Sequence, residues 1–254
     1  MNRNIEIKNA VLLAAGKGSR LCTLDSGYSK PMTPVFGKPL ISYALDALIA
    51  YGIENIFIIY HSTSADVLNL KNINKPFYDT LNFVEDTHQK GGLSSLYYAE
   101  SVVNAPFLLL FADIIVKKED FIKMMTSKTV ERTQYCDLLI QTVDTPSIPF
   151  EKPLLIRNNK IVRWNKSEIQ NEHANNCTMK SGGMIYLWFK NPFYMIKKFL
   201  DSENYSFSEF MNYYIERHNV SEMKIDDLWD IDTLEDILKT ESLLGLQSLQ
   251  SNMD

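Results

Sequence analysis

Short apolar runs alternate with longer amphipathic stretches through the first half of the chain, a pattern that predicts strands and helices in turn and a mostly parallel sheet. Val11 to Ala14 reads as the first strand. Pro39 opens a helix in which Ile41, Ala44, Leu45, Leu48 and Ile49 recur at helical spacing, with Gly52 as its C-cap. Asn55 to Tyr60 and Leu81 to Val84 predict the next strands, the second entering a loop from Glu85 to Gly92. A helix from Leu93 carries Leu96, Ala99, Val102 and Val103 on one face. Pro106 to Ala112 is the most apolar strand, and it ends on Asp113.

The second half is less regular. Asp137 to Val143, Leu154 to Arg157, Ile161 to Trp164 and Met184 to Phe189 predict strands, with Asn158 and Asn159 as the turn between the middle two. Ser206 and Glu209 form a capping-box pattern before a helix containing Phe210, Tyr213 and Tyr214. Thr233 caps the last helix, with Glu235 and Asp236 in its first turn. Leu243, Leu244, Leu246 and Leu249 then offer an apolar stripe that can pack back or meet another subunit, so a homo-oligomer is one expectation.

Ligands of open parallel α/β sheets gather at the carboxyl ends of the strands. Three segments fall there: the loop after the first strand, the Glu85 to Gly92 loop and Asp113. In the first, Gly16 and Gly18 permit positive φ and a close approach of main chain to an anion. Arg20 adds a planar charged fork and Lys30 a mobile point charge, while Pro31 and Pro34 stiffen the exit. An ordinary tight turn is the plainer reading of two glycines. The dinucleotide fingerprint is excluded because Leu21 stands where its third glycine is needed, and the P-loop because its spacing is absent. Near the other end stands W-D-I-D-T-L-E-D; if Trp229 to Asp232 is extended, Asp230 and Asp232 share one face and the tryptophan and isoleucine bury the other.

The segments L-A-A-G-K-G-S-R-L, S-K-P-M and G-K-P-L-I resemble the signature of the nucleotidyltransferases that make NDP-sugars and related activated phosphates, phosphocholine cytidylyltransferase-like members included. Counterparts recur to about Asp236. The resemblance implies a Rossmann-like three-layer α/β sandwich with a mostly parallel central sheet and a smaller, less regular acceptor-binding half. It divides residues 1–240 into a nucleotide-binding half (1–115) and an acceptor-binding, metal-completing half (116–240), followed by a tail (241–254). The partners it implies are a nucleoside triphosphate and a small phosphorylated acceptor, with Mg2+ as cofactor.

Carried onto this chain, the resemblance assigns Leu13, Ala14, Ala15, Gly16, Gly18 and Ser19 with Gly91, Gly92 and Ser94 to the nucleotide. Arg20 falls to the β- and γ-phosphates, Lys30 and Lys166 to the α- and acceptor phosphates, and Gly182 with Gly183 to the border of the acceptor pocket. Asp113 and Asp230 become the metal pair, with Asp232 as a third candidate. Departures from the pattern are Trp229 directly before Asp230, Leu234 where proline is common and Asn165 where glutamate often precedes the lysine. They leave open which of Asp230 and Asp232 is the ligand. Plainer roles are helix capping for Ser94 and Asp232 and a solvated surface position for Lys166.

Composition narrows the field further. A net charge of -5 with dispersed lysines and arginines argues against nucleic acid as a partner. Three widely spaced cysteines, Cys22, Cys136 and Cys177, lack zinc spacing and suit reduced thiols in a cytoplasmic protein. No segment approaches the roughly 20 apolar residues of a membrane span, and the run from Ala10 to Ala15 is too short for a signal-peptide core. The four histidines are scattered, and a phosphate already ionised near neutral pH needs no general base.

Sugar 1-phosphates are the acceptors expected first. A CTP-dependent enzyme acting on phosphocholine or another small phosphorylated alcohol is the close alternative. A non-catalytic nucleotide-binding regulatory subunit is the alternative of another class; the joint presence of Arg20, Lys30, Asp113 and Asp230 favours catalysis over it.

Overall fold

A computed structural model describes residues 6–16, 18, 21, 27–73, 75–128, 130, 136–144, 153–164 and 177–250. The first half contributes β1 (Asn9–Leu13), a small hairpin of β2 (Pro34–Val35) and β3 (Lys38–Pro39), and helix α1 (Ile41–Tyr51). It continues with β4 (Asn55–Tyr60), β5 (Asn82–Glu85), α2 (Gly92–Tyr97), β6 (Phe107–Phe111), β7 (Ile114–Ile115) and α3 (Lys118–Met125). The second half supplies β8 (Leu138–Val143), β9 (Pro153–Arg157), β10 (Lys160–Trp164), β11 (Thr178–Trp188), α4 (Phe193–Asp201) and α5 (Phe207–Ile215). Strand β12 (Val220–Lys224), the short β13 (Trp229–Asp230) and α6 (Leu234–Gln250) follow.

One nine-stranded sheet runs through both halves in the order β5-β4-β1-β6-β11-β8-β12-β10-β9. Alternate side chains of its central strands enter different cores. Ala10 and Leu12 of β1 and Leu108 and Leu110 of β6 meet α1 and α3 through Leu45, Leu48 and Phe121. Val11, Leu13, Phe107 and Leu109 point the other way, toward Leu93 and Leu96 of α2, Ile196 of α4 and Phe210 of α5. Burial of each such leucine or isoleucine contributes about 2 kcal/mol, so the central strands form a stiff floor for the loops at their ends.

The α/β class expected from the sequence holds, but the sheet is mixed. Strands β5, β4, β1 and β6 are parallel, as is the β8–β12 pair. Strand β11 returns antiparallel to both β6 and β8, and β10 is antiparallel to β12 and β9. Hairpin chemistry accounts for the β9–β10 pair: Asn158 and Asn159 both take positive φ (51° and 61°), the backbone of a two-residue turn that joins the two strands directly.

Several boundaries also move. Pro39 lies in β3 and Leu40 is the N-cap of α1, which ends on Gly52 at φ 97° as expected. The helix read from Leu93 to Val103 is α2 followed by a 3-10 turn, Tyr98–Ser101. Helices α3 and α4 and strand β12 were not singled out from the sequence; their apolar positions are few or interleaved with lysine and glutamate.

Outside the main sheet, β13 pairs antiparallel with β7, Asp230 opposite Ile114, and the Ile231 N–H donates to the Asp113 carbonyl at 2.9 Å. Trp229 and Ile231 anchor this crossing in a third core with Leu21, Val35, Leu40, Ile115 and Ile237, against which Leu244 packs. The far end of the chain is thereby pinned beside the end of the central strand.

Candidate active site

A cleft of about 440 Å³ opens at the carboxyl ends of β1 and β6. Leu13, Ala14, Ala15 and Gly16 form one wall, Gln89, Lys90, Gly91, Gly92 and Ser95 another, and Lys30, Phe111 and Asp113 the floor. The loop carbonyls are held from outside: Ser64 Oγ donates to Ala14 O at 2.9 Å and Gln89 Nε2 to Ala15 O at 3.0 Å. Neither residue was singled out from the sequence, because both bonds depend on tertiary placement rather than on spacing.

Lys30 begins a 3-10 turn, Lys30–Met32, and is only 8% exposed. Gly18 permits this. At φ 58°, it lies so close that a Cβ would stand 2.6 Å from Lys30 Cβ, so a side chain there would push the lysine away. The turn is fixed further by the Ser29 N–H, which donates to Asp66 Oδ2 at 2.8 Å.

Lys30 Nζ donates to Asp113 Oδ2 and to Asp232 Oδ1, each at 2.6 Å. Burial disfavours the lysine charge, but the carboxylates of Asp113 and Asp232 outweigh it and hold the ammonium above its ordinary pKa. Asp230 completes the group, with one oxygen from each of the three acids lying within 4.8 Å of the others. Burial first, then the negative charges of Asp113 and Asp232, push the Asp230 carboxyl up to about 8.

Asp113 Oδ1 and Asp230 Oδ1 are buried without a hydrogen-bond partner. Orphaned oxygens in a cluster where each of three acids brings an oxygen within 4.8 Å of the others fit a hard divalent cation such as Mg2+, which prefers oxygen ligands. The helix N-terminus has its own acid: Asp236 Oδ2 accepts from the Thr233 N–H at 2.8 Å, and Thr233 Oγ1 accepts from the Asp236 N–H at 3.2 Å.

Other expected residues stand elsewhere. Ser94 faces a separate pocket with His88, Tyr97, Tyr98 and Tyr205, while its neighbour Ser95 lines the cleft. Gly182 and Gly183 are buried packing positions. A Cβ on Gly182 would stand 2.1 Å from Gln141 O, and one on Gly183, at φ 85°, 2.1 Å from Trp164 Cη2. Arg20, Ser19 and Lys166 lie outside the described residues.

Residues 9–147 match the family model described as "Nucleotidyl transferase". The chain belongs to this family. Similar curated proteins include the bifunctional protein GlmU of Methanococcus aeolicus, 25% identical over 224 residues, 87% of this chain and 50% of that protein. Another is the 2-aminoethylphosphonate cytidylyltransferase of Lancefieldella rimae, 28% identical over 129 residues, 50% of this chain and 51% of that protein. The chain thus spans about half the length of these relatives. Among solved structures, the inositol-1-phosphate CTP transferase from T. maritima superposes with a TM-score of 0.75 at 18% identity, covering 94% of this chain and 95% of that one. The UTP-bound UGPase from Acinetobacter baumannii gives 0.73 at 18% identity, covering 95% and 94%. These superpositions establish the Rossmann-like α/β fold. Among the described residues, no helix is long and apolar enough to cross a membrane.

Proposed function

We propose that this protein is a nucleotidyltransferase that joins the nucleotidyl group of a nucleoside triphosphate to a phosphate monoester, a sugar 1-phosphate in the first reading. The observation that carries this is the acid cluster of Asp113, Asp230 and Asp232 around Lys30 at the floor of the cleft. Nucleotide binding alone would not need three carboxylates, which repel a triphosphate. A phosphate oxygen of the acceptor attacks the α-phosphorus, a new P–O bond forms, the bond to the β-phosphate oxygen breaks, and pyrophosphate leaves. Two anions must be brought together, so the residues must neutralise charge and align groups.

In this reading Asp113 and Asp230 would hold Mg2+, with Asp232 beside them, and the ion would supply charge neutralisation at the phosphates. Lys30 contacts the α-phosphate region and Arg20 the β- and γ-phosphates; Lys166 serves the acceptor phosphate. The loops at Leu13 to Gly18 and Gln89 to Gly92 hold the nucleotide by close main-chain approach. The acceptor phosphate is already ionised near neutral pH, so no residue is assigned as general base.

A second reading, CTP with phosphocholine or another small phosphorylated alcohol, draws support from two similar proteins, the 2-aminoethylphosphonate cytidylyltransferase and the inositol-1-phosphate CTP transferase. Pyrophosphate release with Mg2+, measured for each NTP against sugar 1-phosphates and small phospho-alcohols, tests both. Turnover with one pair assigns the base and acceptor class. NTP binding without turnover against any acceptor would instead support a non-catalytic nucleotide-binding subunit.

A further inference from the structure

The loop from Thr87 to Gly92, whose residues 89–92 line the cleft, is organised around one side chain that lies outside the cleft. Asp86, at the end of β5, is 0% exposed. Its Oδ1 accepts from the backbone N–H groups of His88 and Gln89, both at 2.9 Å. Its Oδ2 accepts from Ser95 Oγ at 2.7 Å. The Asp86 N–H donates to Tyr60 O at 2.6 Å, so the carboxylate rests on the sheet. Among the described residues no lysine, arginine or histidine side chain forms an ion pair with it; three neutral donors hold it instead.

This arrangement closes the loop on itself. A carboxylate accepting two successive N–H groups folds the chain back at residues 87–89, and Gln89 takes φ 48°, which a glutamine seldom adopts unaided. The turn aims Gln89 Nε2 at Ala15 O (3.0 Å) and Thr63 Oγ1 (2.9 Å), tying this loop to the glycine loop across the cleft. The bond to Ser95 fixes the other end, with Gly91 and Gly92 held between.

We propose that Asp86 is a positioning residue for nucleotide binding: it sets the shape of residues 87–92 and, through Gln89, their distance from the glycine loop. This rests on the nucleotide occupying the cleft. Three neutral hydrogen bonds to a buried group set the scale of the effect. Asp86→Ala is expected to weaken NTP binding about tenfold or more by calorimetry and to raise the KM for NTP alike, leaving the acceptor KM within about threefold. Asp86→Asn keeps the Oδ1 acceptor for both N–H groups, and its amide can donate to Ser95 Oγ, so it is expected to recover most of the affinity.

Hydrogen exchange on the ligand-free protein separates the two ideas. In Asp86→Ala, and more mildly in Ser95→Ala, amides 88–91 are expected to exchange faster while those of β1 and β6 keep their protection. Unchanged NTP affinity and unchanged exchange in a folded Asp86→Ala would overturn the proposal, as would equal losses in the NTP and acceptor KM values. Should Asp86→Ala not fold, Ser95→Ala carries the test, and native exchange at 88–91 with native NTP affinity in that variant overturns it. A wild-type protein that binds no NTP would contradict the nucleotide-cleft reading instead, leaving the exchange result to judge the loop itself.

Discussion

Lys30 Nζ bridges Asp113 and Asp232 at 2.6 Å each, although these acids lie 83 and 202 residues away along the chain. The lysine supplies the positive charge that lets three carboxylates share one small volume. Its removal is therefore expected to act on stability and on chemistry together. Lys30→Met should lower turnover at least about 100-fold. It should also destabilise the metal-free protein by about 1–3 kcal/mol, because the half-buried carboxylates of Asp113 and Asp232 lose a charged donor. Thermal unfolding with and without Mg2+ checks the cause: the stabilisation by Mg2+ is expected to be larger in the variant than in wild type.

Asp230 gives a pH dependence with a definite sign. Its carboxyl is held up to about 8 by burial and by the charges of Asp113 and Asp232, against an unfolded value of 3.8. The folded protein therefore keeps a proton that the unfolded chain releases. The stability this contributes is full below the unfolded value and is lost as pH rises through about 8. A divalent ion must displace that proton, so its affinity is expected to climb with pH and to level off above about 8. Mn2+ titrations across this range, in the absence of nucleotide, check it. Affinity that stays flat with pH would contradict the Asp230 assignment.

Gly183 offers a test of packing. Its φ is 85° and a Cβ would overlap the Trp164 ring at 2.1 Å. Trp164 is 2% exposed and stacks on Tyr186 at 6.0 Å, so the ring has no room to withdraw. Gly183→Ala is expected to cost at least about 2 kcal/mol in chemical denaturation. A stable variant with a raised acceptor KM would instead return Gly183 to the acceptor pocket.

These outcomes mark how far the sequence could be read. The left-handed backbone of Gly18, the C-cap at Gly52, the Asn158–Asn159 turn and the cap at Thr233 were legible because each is decided within a few residues, by φ, by a short side chain or by a periodic face. The convergence of Asp113 with W-D-I-D was expected from the family resemblance; the two-residue alternation by itself gave only a shared face for Asp230 and Asp232, and only Trp229 and Asp230 are strand. What escaped was decided across space. The salt bridge of Lys30 to the acids and the latch from Gln89 to Ala15 join segments far apart in the chain, and the choice of Ser95 over Ser94 depends on how α2 sits on the sheet, which one helical step reverses. The mixed sheet escaped because antiparallel β11 reads, along the chain, like any other apolar strand.

The most direct test of the account is nucleotidyl transfer by Asp113→Asn, followed with an NTP labelled at the α-phosphate. Asp113 sits at the end of the central strand and in the acid cluster, its Oδ2 on Lys30 and its Oδ1 buried without a hydrogen-bond partner. With the preferred acceptor, wild type is expected to carry the label into product with release of pyrophosphate. Asp113→Asn is expected to keep its melting temperature and NTP affinity near wild type while transfer falls at least about 100-fold. Transfer within about threefold of wild type, with unchanged dependence on Mg2+, would contradict the account.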